Sequence, residues 1–328
     1  MIKFATRAKS LHLALFGIGI LVALQLAPYA QASQVLTSGN GNVTIGINND
    51  GSLDIVDLGV GLNLAGVGDA LIPGCPCESW GAQANGVIGY TGPAVGTSNL
   101  VTDSFATTAT TAVSTTHLGT LPDLQVTQAF GQSASGALFQ DHITITNMGG
   151  STLTNLQYAR VMDWDIPPTD FDEFVTIGGH PATNLIYTGD NGFAVPFDPS
   201  GMATDIGSCG FNVDFKDCGP VDHGAYFIFK FDDLAAGATQ EFNIFYGATY
   251  DEATAFAALG AVGAEVYSLG QSNTVNGPSL GTPGTFIFGF SGVGGTPVTT
   301  PEPSTLALLG LGGLVAGIYR RRLAKTRG

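Results

Sequence analysis

Between residues 33 and 290 the chain consists of short runs rich in β-branched and aromatic residues, each closed off by Gly, Asn, Asp or Pro. In an extended strand every second side chain lies on the same face, and runs this short are below the usual length of a helix. They occupy residues 42–47, 53–56, 124–130, 138–146, 153–160, 225–231, 241–249 and 285–290. Repeated short strands with turns between them predict a mainly β body, an antiparallel β-sandwich arranged as one large or two small packed domains. Asn49, Asp50 and Gly51 separate the first two runs and form the clearest turn, because Asp-Gly accepts the positive φ of a tight hairpin. In the run that starts at Phe139, the residues Phe139, Ile143 and Ile145 alternate with Gln140, His142, Thr144 and Thr146, giving one apolar face. Residues 147–151 then predict a hairpin turn into 153–158. Residues 226–231 are almost continuously apolar, which predicts a strand covered on both faces. One helix is expected: Thr249 to Glu252 can cap a segment running through Phe256, Leu259, Val262 and Val266, with a stop near Gly270. Residues 291–300, rich in Gly, Thr and Pro, predict a flexible linker.

The two ends are built differently. Lys3, Arg7 and Lys9 precede an apolar stretch at residues 11–26, and Ala30, Gln31 and Ala32 make a small-x-small site. That order predicts a secretory signal peptide over residues 1–32, cleaved after Ala32. At the other end Pro301, Glu302 and Pro303 lead into an uncharged stretch at 306–319, followed by Arg320, Arg321 and Arg322. As a helix that stretch spans roughly 21 Å against a hydrocarbon core of about 30 Å, so it predicts a marginal transmembrane segment. The arginines, with Lys325 and Arg327, stay cytoplasmic under the positive-inside rule. A proline-bounded signal, a short span and a basic stop together resemble the PEP-CTERM sorting tail of Gram-negative bacteria, here over residues 301–328. The resemblance implies that an exosortase, a membrane peptidase, recognises and removes the tail. It implies transient anchoring at the inner membrane and then release to the cell surface or the medium. Because exosortase systems accompany exopolysaccharide production, it also makes exopolysaccharide a candidate partner.

Charge narrows the partners. Eight of the 11 Lys and Arg residues lie in the signal or the tail, which leaves Arg160, Lys216 and Lys230 against the 26 carboxylates between Asp50 and Glu302, a net charge of −23 over that span. Nucleic acid is excluded, since binding it requires cations that neutralise phosphates. Contact with the membrane is expected only through the tail. Such an excess of like charge opposes compaction unless the carboxylates are spread over solvated surface or neutralised by a bound divalent cation.

Cysteine usage fits export. Cys75, Cys77, Cys209 and Cys218 are an even number in an oxidising compartment and predict two disulfides, with three pairings open. Cys209 and Cys218 bracket a short loop and are well placed for a local bridge. A Cys75–Cys77 bridge around Pro76 is expected to be strained. A four-cysteine zinc site is the rival reading, but the usual Cys-x2-Cys spacing is absent.

The densest chemistry lies in Asp163, Asp165, Asp170, Asp172 and Glu173, five carboxylates beside Trp164 and stiffened by Pro167 and Pro168. Three readings fit them: a solvated acidic loop, a calcium site built from hard oxygen ligands, and the acid and base of a glycosidase. Calcium is the candidate cofactor. Residues 59–66 miss the dinucleotide-binding glycine spacing, and neither a G-x-S-x-G elbow nor an H-E-x-x-H pair occurs. His117, His142, His180 and His223 are scattered without ligand spacing. The leading expectation is a non-enzymatic structural or adhesive protein. The alternatives are a glycan-binding module that stacks sugar on Trp80 or Trp164, and a secreted glycoside hydrolase using Asp163, Asp165 or Glu173.

Overall fold

The computed structural model describes residues 33–299. The expected signal peptide at 1–32 and the sorting tail, with Pro301, Glu302, Pro303, the segment 306–319 and Arg320, Arg321 and Arg322, lie outside the described residues. The described chain is mainly β. Its first strands are β1 Ser33–Thr37, β2 Val43–Asn48, β3 Leu62–Leu64, β4 Gly68–Asp69, β5 Ser79–Ala84 and β6 Val87–Thr91. Long strands follow at β7 Leu100–Thr107, β8 Ala112–Leu118, β9 Leu121–Gln132, β10 Leu138–Asn147, β11 Gln157–Trp164 and β12 Glu173–Gly178. The last are β13 Leu185–Gly189, β14 Phe215–Val221, β15 His223–Lys230, β16 Thr239–Thr249, β17 Val266–Ser272 and β18 Thr285–Ser291.

These strands form three antiparallel sheets. A nine-stranded sheet runs β14-β12-β17-β18-β16-β10-β9-β8-β7, a five-stranded sheet runs β13-β15-β11-β5-β6, and β1 to β4 make a small sheet of four. The two larger sheets meet across an aromatic layer, an arrangement consistent with a β-sandwich. Tyr158 of β11 meets Phe242 of β16 edge-on at 5.1 Å between ring centres, and Phe227 of β15 meets Phe290 of β18 at 5.1 Å. Buried rings contribute through their area and their edge-to-face geometry.

The turn at residues 49–51 forms as expected, with Gly51 at φ 82°, and its position is informative. It is inserted between the two large sheets. Trp80 Nε1 donates to Asp50 O at 3.0 Å from one side, and Ser114 Oγ donates to Asn49 O at 2.7 Å from the other. The small sheet is thereby tied into the core of the other two.

Three expectations are corrected. Residues 139–147 and 153–158 do not form a hairpin: β10 pairs with β9 and β16, whereas β11 lies in the opposite sheet between β5 and β15. Buried Asn147 fixes this crossover by donating through Nδ2 to Ser151 O and Leu234 O, each at 2.8 Å. Alternation identifies a strand but not its neighbour. The helix is real but shorter, Glu252–Ala261, with Asp251 capping the amide of Thr254 at 2.7 Å. Gly263 turns the chain at φ 64°, and Val266 opens β17 instead of extending the helix. Ala255, Ala258 and Leu259 pack against Phe245 and Ile287 of the nine-stranded sheet. Finally, the residues after 291 are held against the body. Val293 is fully buried, Thr183 N donates to Gly294 O at 2.9 Å, and Val298 N donates to Ala264 O at 2.7 Å.

Candidate metal centre

Strand β11 has two faces. Tyr158, Met162 and Trp164 point into the aromatic layer, while Ala159 and Val161 pack in a second apolar cluster with Tyr187, Tyr226 and Ile228. With a period of two, Asp163 and Asp165 continue the row of Ala159 and Val161. They stand where that strip of side chains ends. β15 brings a third carboxylate: Asp163 pairs with Gly224 and Trp164 with His223, which places Asp222 beside the end of β11. β12 brings a fourth, because Glu173 opens that strand and its Oε1 accepts the amide of His223 at 2.9 Å.

Oxygens of Asp163, Asp165 and Asp222 all lie within 4.8 Å of one another. Asp163 is 1% exposed, and Asp165 and Glu173 are fully buried. Neither oxygen of Asp163 or Asp165 accepts a hydrogen bond, nor do Glu173 Oε2, Asp222 Oδ1 or Asp170 Oδ1. Neighbouring Asp69 shows the contrast. Its two oxygens accept the amides of Gly61, Leu62, Leu71 and Ile72 at 2.8–3.2 Å, so its charge is fully used within the loop. Asp190 is satisfied likewise by the amides of Ile206 and Gly207 and by His223 Nδ1.

Unpartnered buried carboxylates resist ionisation. Burial, reinforced by the charge of Asp222, pushes Asp163 up to about 8. Burial and the adjacent charges of Asp163 and Asp222 push Asp165 to about 8. Burial lifts Glu173 to about 9 against the pull of the His223 amide. Glycine leaves the carboxylates their space. A Cβ at Gly192 would come within 2.8 Å of Asp163 Oδ1, and one at Gly74 within 3.2 Å of Asp165 Oδ1.

Of the five carboxylates expected together, Asp163, Asp165 and Glu173 are in the cluster, and half-buried Asp170 lies near enough to raise Asp165. Exposed Asp172 instead accepts from Asn273 Nδ2 at 2.7 Å, outside the cluster. Asp222 is the residue that sequence reading missed, and buried His223, read there as a scattered histidine without ligand spacing, adjoins the cluster through its amide. They lie about 50 positions downstream, and only the β11–β15 pairing brings them in.

Both disulfides form, Cys75–Cys77 with Cα atoms 5.0 Å apart and Cys209–Cys218 at 6.0 Å. No free cysteine remains among the described residues, so the zinc reading is corrected: every sulfur that could bind zinc is in a disulfide. The Cys75 and Cys77 sulfurs lie close to Asp163, but bonded to each other they are not thiolate ligands. Trp80 and Trp164 are fully buried, and Trp164 Nε1 donates to Ser268 Oγ at 3.0 Å. Neither ring presents a face on which a sugar could stack.

Residues 299–322 match the PEP-CTERM protein-sorting motif. The match covers Pro301, Glu302, Pro303 and the three arginines in the order read from the sequence. The PEP-CTERM motif supports an exported protein that is anchored and then processed by an exosortase. No curated protein matches the chain. Among the described residues no helix is long and apolar enough to cross a membrane.

Proposed function

We propose that this is an exported β-sandwich protein, trimmed by an exosortase and released to the cell surface or the surrounding matrix, where its body has a structural or adhesive and non-enzymatic role in an exopolysaccharide setting. The observation that carries the reading is the sorting motif joined to a disulfide-bonded β body of high negative charge. Burial of the acidic cluster supports the non-enzymatic part. A glycosidase presents its acid and its base or nucleophile to a bound sugar, whereas Asp163, Asp165 and Glu173 are closed off from solvent. The buried tryptophans count against the glycan-binding alternative in the same way.

The test is mass spectrometry of the protein from the cell-surface and medium fractions of a host that carries an exosortase. The expected species begins at Ser33 and lacks Arg320, Arg321 and Arg322. An intact C-terminus in those fractions overturns the reading.

A further inference from the structure

We propose that Asp163, Asp165 and Asp222 bind one hard divalent cation, calcium, with Glu173 adding negative charge beside it, and that the ion ties the end of β11 to the start of β15. The geometry is the first argument. Calcium takes oxygen ligands at about 2.3–2.6 Å, so two ligands on one ion are at most about 4.6–5.2 Å apart. Oxygens of the three aspartates fall within 4.8 Å of one another. The ligands come from separate segments, residues 163 and 165 at one strand end and residue 222 at the start of another. One ion would therefore bridge strands that are distant in sequence.

Unsatisfied burial is the second and independent argument. Asp163 and Asp165 are at most 1% exposed, and all four of their carboxylate oxygens lack a hydrogen-bond donor. A buried polar group without a partner is costly, and native structures almost always supply one. Among the described residues no cation does so: Arg160 is committed to Glu78, Lys216 to Glu252 and His223 Nδ1 to Asp190, Lys230 is exposed, and His223 Nε2 makes no hydrogen bond. A divalent ion supplies the missing positive charge and accepts several oxygens at once. An all-oxygen ligand set selects calcium or magnesium over zinc or copper. The exported setting favours calcium, and the proposal rests on the export reading for that choice alone.

The experiment uses the exported protein, purified and stripped with a chelator, with calcium chloride as the probe. Thermal melts are recorded in calcium, magnesium and sodium chloride at equal ionic strength, alongside a count of calcium retained after gel filtration. The expected result is one calcium per chain and a rise in Tm of about 5–10 °C at a hundredfold excess over Kd. The Asp163→Asn/Asp165→Asn variant loses both the retained ion and the rise. An Asp57→Asn/Asp123→Asn variant, which removes the same charge from exposed sites, keeps both. Equal melting temperatures in the three salts overturn the proposal, because diffuse screening of the net charge needs no site. A calcium-specific rise that survives in Asp163→Asn/Asp165→Asn also overturns it, since the ion then binds elsewhere. Should the double variant not fold, Asp222→Asn alone is measured, with the same loss expected and retention of the ion again overturning the site.

Discussion

Arg160 and Glu78 face each other between the two large sheets with no solvent exposure on either side chain, Arg160 Nε donating to Glu78 Oε1. The rest of the guanidinium is used as well. Nη1 donates to Gln128 Oε1 at 2.7 Å and Tyr158 Oη at 3.0 Å, Nη2 donates to Gly51 O at 3.1 Å, and the group lies 5.5 Å from the Tyr246 ring centre. Burial works against the charge on Arg160, but Glu78 and the surrounding oxygens hold its pKa well above the ordinary value. Burial also raises Glu78, with Arg160 pulling it back. Because guanidinium does not give up its proton in proteins, Arg160 carries its charge in the interior, and Glu78 is the carboxyl group that faces it. Replacing one partner leaves an uncompensated buried charge, so Arg160→Met is expected to cost about 3–5 kcal/mol. Adding Glu78→Gln to Arg160→Met should recover part of that loss. Urea denaturation of the single and double variants checks it, and a double variant as unstable as the sum of the singles would count against the pairing.

Asp141 lies in the same interior, and burial pushes its carboxyl up to about 8 while Arg160 pulls the other way. Near neutrality the folded chain thus keeps a proton that the unfolded chain releases at about pH 4. Between those values the native state binds more protons than the unfolded state, so stability falls as pH rises from about 4 to about 8. Asp141→Asn removes this contribution. Relative to the parent, the variant is expected to gain roughly 1.4 kcal/mol per pH unit across pH 5–7. Denaturation curves at pH 5, 6 and 7 measure the difference. Parallel pH profiles for parent and variant would show that Asp141 is ionised in the fold.

The strands were legible because their runs alternate or are continuously apolar: β10 and β15 carry Ile143, Ile145, Phe227 and Phe229 where the pattern places buried residues. The crossing from β10 to β11 was not legible. Local alternation cannot say which of two facing sheets a strand joins, and the deciding contact, Asn147 to Leu234, spans 87 positions. The acidic site was half legible for the same reason. Asp163 and Asp165 share a face by period, which sequence shows, whereas Asp222 arrives through long-range pairing. Arg160 read as one of three cations on a negative body, and nothing local marks it as the buried centre of a network.

The cysteines make a separate prediction. With both pairs bridged, thiol labelling of the unreduced exported protein should give no adduct, and two or more modified cysteines would refute the pairing. The Cys209–Cys218 bridge closes a short loop, so replacing both residues by Ser is expected to cost about 2–3 kcal/mol. Asp205 limits the loss. Its carboxylate accepts the amides of Cys209 and Gly210 at 2.9 and 3.1 Å, which keeps part of the loop in place without the bridge. An Asp205→Ala change in the bridgeless variant should therefore lower Tm further than the same change in the parent.

The last prediction concerns where the folded body ends. Composition makes residues 291–300 a linker, yet Glu265 Oε2 accepts the amides of Val293 at 2.8 Å and Gly295 at 3.0 Å. Val293 is fully buried, and Val298 packs on the cluster beneath the helix. A chain stopped after Gly292 loses the burial of one valine, which alone is about 1.5–3 kcal/mol, together with those hydrogen bonds. For a body of this size the fall in Tm should be at least about 5 °C relative to a chain stopped after Thr299. Thermal melts of the two truncated chains decide the matter. If both melt together, the segment is a tether and the body ends at β18. If the shorter chain melts lower, the fold continues to the first residues of the sorting motif, and the exosortase must cut beyond a segment that the body already holds.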